Sequence, residues 1–128
     1  MLQKNSFQKY ERLCSVKDIQ VLYQNGDSFF EHPFLVKFKL VESNSFPLQV
    51  LFSVPKRKIK KAVHRNKIKR LCREGYRKNK SSLLTTLEEK NLFLQVMFIY
   101  TGNAIPTYKF TEQKIILTLQ RLQKEMGK

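Results

Sequence analysis

The sequence predicts an α+β fold, a small mixed sheet with helices packed on it. Three observations predict it. Two segments, "HPFLVKFKLV" and "LQVLFSV", alternate along a strand; three others carry apolar residues at helical spacing; and one run, Leu92 to Tyr100, is apolar almost without a break. The chain has 128 residues and 41% hydrophobic content, enough for one modest core. No repeat or low-complexity linker divides it, so residues 1–128 read as a single domain.

The first element is "SVKDIQVLYQNG". Ser15 is placed to cap a helix, and Asp18, three residues on, favours its N-terminus. Val16, Ile19, Leu22 and Tyr23 recur at helical spacing, and Gly26 closes the segment. In "HPFLVKFKLV", Phe34, Val36, Phe38 and Leu40 share one face of a strand, with Lys37 and Lys39 on the other. "ESNSFP" is turn chemistry. A second strand sets Leu48, Val50, Phe52 and Val54 against Gln49, Leu51 and Ser53; joined by so short a turn, the two strands are expected to pair antiparallel.

Pro55 ends that strand, and the chain turns helical near Lys61 or Ala62. Val63, Ile68, Leu71, Cys72 and Tyr76 form an apolar stripe; Arg65, Lys69 and Arg73 collect opposite, with Asn66, Arg70 and Arg77 beside them. "SSLLTTLEEKN" reads equally as a helical extension or a loop. "LFLQVMFIY" suits a strand covered on both faces, and "TGNAIPT" a loop. "FTEQKIILTLQRLQKEM" closes the chain as a helix. Its expected N-cap is Thr111, its staple Phe110 with Ile115, and its buried stripe Ile115, Leu119, Leu122 and Met126.

Charge narrows the function. Lys and Arg number 25 against 10 acids, a net +15, and thirteen of those cations fall between Lys56 and Lys80, where Glu74 is the only acid. Like charges gathered this densely raise the free energy of the compact state, so the run points to a polyanionic partner. A membrane surface would call for a broad exposed apolar face on the basic helix, and its stripe is only wide enough for a sheet. No segment approaches the length of a spanning helix, and "MLQKNSFQKYERL" lacks the apolar run of a signal peptide, so a cytoplasmic location is expected. Cys14 and Cys72 are expected as reduced, half-buried thiols.

Catalytic candidates are scarce. His32 and His64 are the only imidazoles, and no zinc spacing or phosphate-binding glycine loop is present. The acids read as solvated faces and helix caps rather than a converging metal site. No catalytic or metal-ligating residue is assigned. Strands rather than a short helix precede the basic helix, against a helix-turn-helix on DNA. RNA offers unpaired bases for aromatic side chains, with Tyr10, Tyr23, Phe34, Phe38, Phe52 and Tyr100 as candidates beside a majority role in the core.

The segment "AVHRNKIKRLCRE" resembles the signature A-V-x-R-N-R-I-K-R-x-x-R-E of the bacterial ribonuclease P protein family, and "FSVPKRK" resembles the strand and lysine-rich turn before it. The resemblance extends over most of the chain. It implies an α/β sandwich in the order α-β-β-β-α-β-α, with a left-handed β-α-β crossover. It also implies a protein that joins a large catalytic RNA, ribonuclease P RNA, and with it removes the 5′ leader of precursor tRNA. That makes the chain the protein subunit of an endoribonuclease whose Mg2+ is held mainly by RNA and substrate.

Carried over by position, the signature falls on Arg65, Asn66 and Lys67, followed by Lys69, Arg70 and Arg73. With Lys56, Arg57, Lys58 and Lys61 of the lead-in, these are the expected contacts to the catalytic RNA. The resemblance further implies a cleft between the first helix and the sheet for the single-stranded leader, involving Ile19, Tyr23, Phe34, Phe52 and Ser53. Three departures stand out: Lys67 lacks the bidentate fork of arginine, Ile19 replaces an aromatic residue, and the basic turn is one residue longer and lacks its glycine. Two alternatives stand beside this reading, a general RNA-binding structural protein and a protein-only nuclease.

Overall fold

The computed structural model describes residues 7–42 and 46–127, so part of the expected "ESNSFP" turn, residues 43–45, and the first part of the N-terminal segment lie outside the described residues. The elements are a 3-10 turn (Lys9–Glu11), α1 (Val16–Asn25), β1 (Asp27–Glu31), β2 (Phe34–Val41), β3 (Leu48–Ser53), α2 (Ala62–Asn79), α3 (Ser81–Lys90), β4 (Phe93–Tyr100) and α4 (Tyr108–Met126). The four strands make one mixed sheet in the order β1-β2-β4-β3.

The expected antiparallel pairing of the two alternating segments does not occur. β4 lies between them, antiparallel to β2 and parallel to β3. The physical reason is burial. β4 is apolar on both faces, so it gains most from the sheet's centre, with Val96 and Phe98 facing one side and Met97 and Ile99 the other. A hairpin between β2 and β3 would have left this strand at an edge. β1 has no clear alternation in "DSFFE", and only the family resemblance implied a third strand here; it pairs antiparallel with β2 from Asp27 opposite Phe38 to Glu31 opposite Phe34.

The main core lies on one face of the sheet, under α2 and α4. Phe34, Val36, Phe52 and Phe98 rise from the strands to meet Ile68, Tyr76, Ile115 and Leu122. The rings interlock, with Phe52 and Phe98 centroids 4.9 Å apart and Phe34 edge-on to Phe98 at 5.7 Å. Each such side chain contributes about 1.5–3 kcal/mol of apolar burial. Gly75 lets the two long helices approach, because a Cβ there would stand 3.3 Å from the Glu112 Cα.

Several helix details differ from expectation. Val63 is 76% exposed rather than part of the α2 stripe. It precedes Ile68 by five residues, which at 3.6 residues per turn puts it about 140° away round the helix. In α1 only Leu22 is buried, while Val16 and Tyr23 face out, because the helix stands partly off the sheet. The segment from Ser81 is a helix of its own, burying Leu83 and Leu87 one turn apart and ending at Asn91 in the left-handed region (φ 54°). Its Ser82 and Thr86 hydroxyls bond Gln123 of α4. α4 begins earlier than expected: Thr107 is the N-cap, accepting from the Phe110 N–H at 3.2 Å, and Thr111 is buried with its hydroxyl donating to the Thr107 carbonyl. The expected Phe110–Ile115 staple therefore has no place, and Phe110 lies beside Lys114 instead. Of the two thiols, Cys14 is exposed and Cys72 buried, where desolvation pushes its pKa up to about 12.

The N-terminal strap shields the outer edge of β3. The Leu13 N–H donates to the Val50 carbonyl at 3.0 Å, and Phe7 packs edge-on to Tyr76 at 5.3 Å. Glu11, an acid expected on a solvated face or as a helix cap, and Lys80, the last cation of the basic run, are both buried and form an ion pair linking this strap to the junction of α2 and α3. Glu11 also accepts from the Gln8 N–H at 2.8 Å. Removing one member strands the other charge. Glu11→Leu or Lys80→Met alone is expected to cost about 3–5 kcal/mol, and the double substitution far less than the sum. Urea unfolding measures this; a loss under about 1 kcal/mol in both single variants contradicts the pair's role.

Candidate nucleic-acid interface

Among the described residues the second face of the sheet carries α1 and, beside it, Leu13 of the N-terminal strap, and the space between α1 and the strands is a cleft of about 480 Å³. Ser15 caps the helix by accepting from the Asp18 N–H at 3.3 Å. Asp18 in turn accepts from Gln95 of β4 at 3.4 Å, tying the helix start to the sheet. Leu22 is the apolar anchor, buried with Leu13 and Met97. Gly26 ends the helix at a close approach: a Cβ there would stand 2.5 Å from the Leu22 carbonyl oxygen and 3.1 Å from that of Phe38. These ties hold α1 above the strands, leaving Ile19 and Tyr23 on the cleft wall.

The cleft floor is Leu35, Leu51, Met97 and Ile99, with Ser53 at one end. Tyr23 is 57% exposed, with the Lys37 ammonium 4.8 Å from its ring centroid. Arg57 and Lys58 line the same cleft beyond Pro55, and no carboxylate is among its described lining residues. An apolar floor, an exposed ring and cations with no acid suit stacked bases and phosphates.

Of the five residues expected in this cleft, the structure brings Ile19, Tyr23 and Ser53 together there. Phe34 and Phe52 are not in it. They alternate onto the opposite face and are buried in the main core, since neighbouring residues of a strand point to opposite sides. Their successors or predecessors Leu35, Leu51 and Ser53 line the floor instead. Among the other aromatic candidates, Phe38 is also core, Tyr100 is buried in the core yet is among the cleft's lining residues, and Tyr10 is 37% exposed and packs edge-on to Phe46. Leu35, Met97 and Ile99 were missed as floor residues; the alternation of β2 and the two-sided burial of β4 were the signals for them.

The basic run divides into a turn and a ridge. Ile59 is buried and anchors the turn, leaving Lys56, Arg57, Lys58, Lys60 and Lys61 exposed. On α2, Asn66, Lys67, Arg70 and Arg73 are exposed, while Arg65 and Lys69 are half-buried at the flank. Arg65 braces the turn: its guanidinium donates to the carbonyls of Ile59 (2.9 Å) and Lys60 (2.7 Å). Near the end of the helix, Glu74 pairs with Arg77 at 2.5 Å, and that hydrogen bond holds its carboxyl below the usual range. With Lys80 buried, the accessible cations concentrate in the turn and the first half of α2. No acid lies in the first turn of that helix, so its positive dipole end adds to the field.

His32 lies just after β1 and His64 in the first half of α2. Among the described residues no three His, Cys, Asp or Glu side chains converge as a metal site requires, and no helix is long and apolar enough to cross a membrane.

Arg65→Ala removes two carbonyl bonds and is expected to lower stability by about 1–3 kcal/mol. Arg70→Ala, exposed on the ridge, is expected to stay within about 0.5 kcal/mol of the parent. Thermal unfolding of the two variants checks this; equal small effects contradict the brace.

Comparison with known proteins gives the family and the fold. The family model described as Ribonuclease P matches residues 7–123. Relatives named ribonuclease P protein component include one from Porphyromonas gingivalis, 31% identical over 89% of this chain and 84% of that protein, and one from Chlorobium phaeobacteroides, 33% identical over 89% and 86%. A solved structure of the Staphylococcus aureus RNase P protein superposes with a TM-score of 0.70 at 26% identity, covering 89% of this chain and 96% of that one.

Proposed function

This chain belongs to the ribonuclease P protein family, and we propose that it divides two RNA contacts between two of its surfaces. The chain is the protein component of ribonuclease P, with its role in tRNA 5′ maturation. The basic turn and the α2 ridge dock the catalytic RNA, and the cleft under α1 grips the single-stranded 5′ leader of precursor tRNA. The observation that carries this reading is contiguity: Arg57 and Lys58 belong to the basic run and also line the cleft holding Tyr23 and Leu35.

Two large RNAs repel each other. A chain of net +15 lying between them lowers that repulsion, and each phosphate contact releases counterions. Scission belongs to the RNA in this reading, with the magnesium ions held by RNA and substrate. The protein residues bind and orient: Arg70 and Arg73 on the ridge seat the catalytic RNA, while Tyr23 stacks a leader base above the apolar floor. Lys67 keeps its charge at the third signature position but contacts one phosphate rather than forking two.

Cleaving a precursor tRNA at low magnesium tests the assignment. Catalytic RNA alone is expected to act poorly, the protein alone not at all, and the two together efficiently. Cleavage by the protein alone overturns it. In the assembled enzyme, Tyr23→Ala is expected to weaken precursor binding by roughly fivefold or more, the worth of one stacked base, and to leave mature tRNA binding unchanged. Equal losses for both substrates would assign the protein a general RNA-binding role instead.

A further inference from the structure

The cleft floor does not stop where α1 stops covering it. Strand register places Ser53, Ile99, Leu35 and Phe30 in one row across β3, β4, β2 and β1. Paired residues share a face, so Phe30 continues the face on which Ser53, Ile99 and Leu35 line the cleft. With adjacent strands about 4.8 Å apart, the row spans roughly 14 Å. Phe30 is 53% exposed and lies beyond the cleft itself.

A lone exposed phenylalanine needs no explanation. This one begins a strip of rings. His32 stands 6.1 Å from Phe30 and 6.4 Å from Phe110 of α4, all centroid to centroid, and the Lys114 ammonium lies 5.5 Å from the Phe110 ring. The strip is held in place from both sides. Arg121 donates to the Phe30 carbonyl at 3.4 Å while its guanidinium covers Phe29 at 4.2 Å. Thr101, which lines the cleft, donates from its N–H and its hydroxyl to the Pro33 carbonyl, both at 2.8 Å. The turn bearing His32 is thus fixed to the cleft rim.

We propose that single-stranded RNA leaving the cleft continues across the β1 edge and stacks a base on Phe30, with His32 and Phe110 as the next rings on its path. The exposed Phe30 and His32 rings offer π-faces to any base, with the half-buried Phe110 ring next to them, and Lys37 on the cleft side and Lys114 at the far end supply cations for the intervening phosphates. The protein then senses leader nucleotides beyond those in the cleft, and affinity keeps rising with leader length after the cleft is full. This inference rests on the cleft holding the leader.

The test is a series of precursor tRNAs with leaders lengthened one nucleotide at a time, bound to holoenzyme carrying parent protein, Phe30→Ala or Phe30→Tyr. The parent and Phe30→Tyr are expected to gain affinity with each added nucleotide to the same plateau. Phe30→Ala is expected to match them on short leaders and reach its plateau earlier, about fivefold or more weaker on long ones. Phe30→Ala tracking the parent at every length, while both depend on leader length, overturns the platform and leaves the cleft reading standing. Affinity independent of leader length in the parent overturns both. The chain has no Trp, so Phe30→Trp gives a single reporter whose fluorescence long-leader precursors quench and mature tRNA does not; equal response to both overturns the proposal. Self-association of the parent that Phe30→Ala abolishes, with leader affinity unchanged, assigns the strip to a second copy of the chain and overturns it as well.

Discussion

β4 is paired with β2 along all eight of its residues and with β3 along six, which commits both its edges and fixes the sheet around it. Its apolar content on both faces forces cover on both. The two long helices α2 and α4, of 18 and 19 residues, supply it on one side together with Leu83 and Leu87 of α3. Among the described residues the other side receives α1, of 10 residues, and Leu13 of the N-terminal strap. Such a helix is about 15 Å long and cannot roof a four-stranded sheet. The uncovered remainder is an apolar floor in reach of solvent, and exposed apolar patches of this kind mark binding sites.

Charge completes the arrangement. The 10 acids cannot neutralise 25 cations, and the pairs that do form are spent on structure. Glu11 with Lys80 fastens the strap over the β3 edge, Glu74 with Arg77 lies near the end of α2, and Arg121 near Glu31 braces β1. The remaining cations concentrate at the turn and the α2 ridge, next to the open end of the cleft. Self-repulsion there destabilises the free chain, and a bound polyanion stabilises the compact state by linkage. In the proposed reading, fold stability and RNA binding are coupled through the basic turn, which Arg65 braces by donating to the Ile59 and Lys60 carbonyls.

Local periodicity carried much of the fold. Ser15 as the cap of α1, a start of α2 near Lys61 or Ala62, the alternation in β2 and β3 and the two-sided burial of β4 all follow from residue spacing. Strand order did not, because pairing is decided by which strand gains most from the centre, a comparison across the chain rather than within a segment. The Glu11–Lys80 pair was illegible for the same reason: 69 residues separate its members, and each reads locally as a surface charge. In the candidate site, Tyr23, Ile19 and Ser53 were legible, whereas Phe34 and Phe52 went to the wrong face. Aromatic character suggested stacking, but one step along a strand exchanges core for cleft, and burial took the larger rings. The signature "HRNKIKR" located the ridge, yet it could not distinguish Arg65, which braces the turn, from Arg70, whose side chain is exposed.

The claim that two surfaces of one small domain serve two RNAs is tested most directly by site-placed crosslinkers in the assembled enzyme with precursor tRNA bound. A photoreactive group is attached at Ser53→Cys in the cleft or at Arg70→Cys on the ridge, each in a Cys14→Ser background. The account predicts that the cleft probe labels the 5′ leader and the ridge probe labels the catalytic RNA. A cleft probe that labels only catalytic RNA, or a ridge probe that labels the leader, contradicts it.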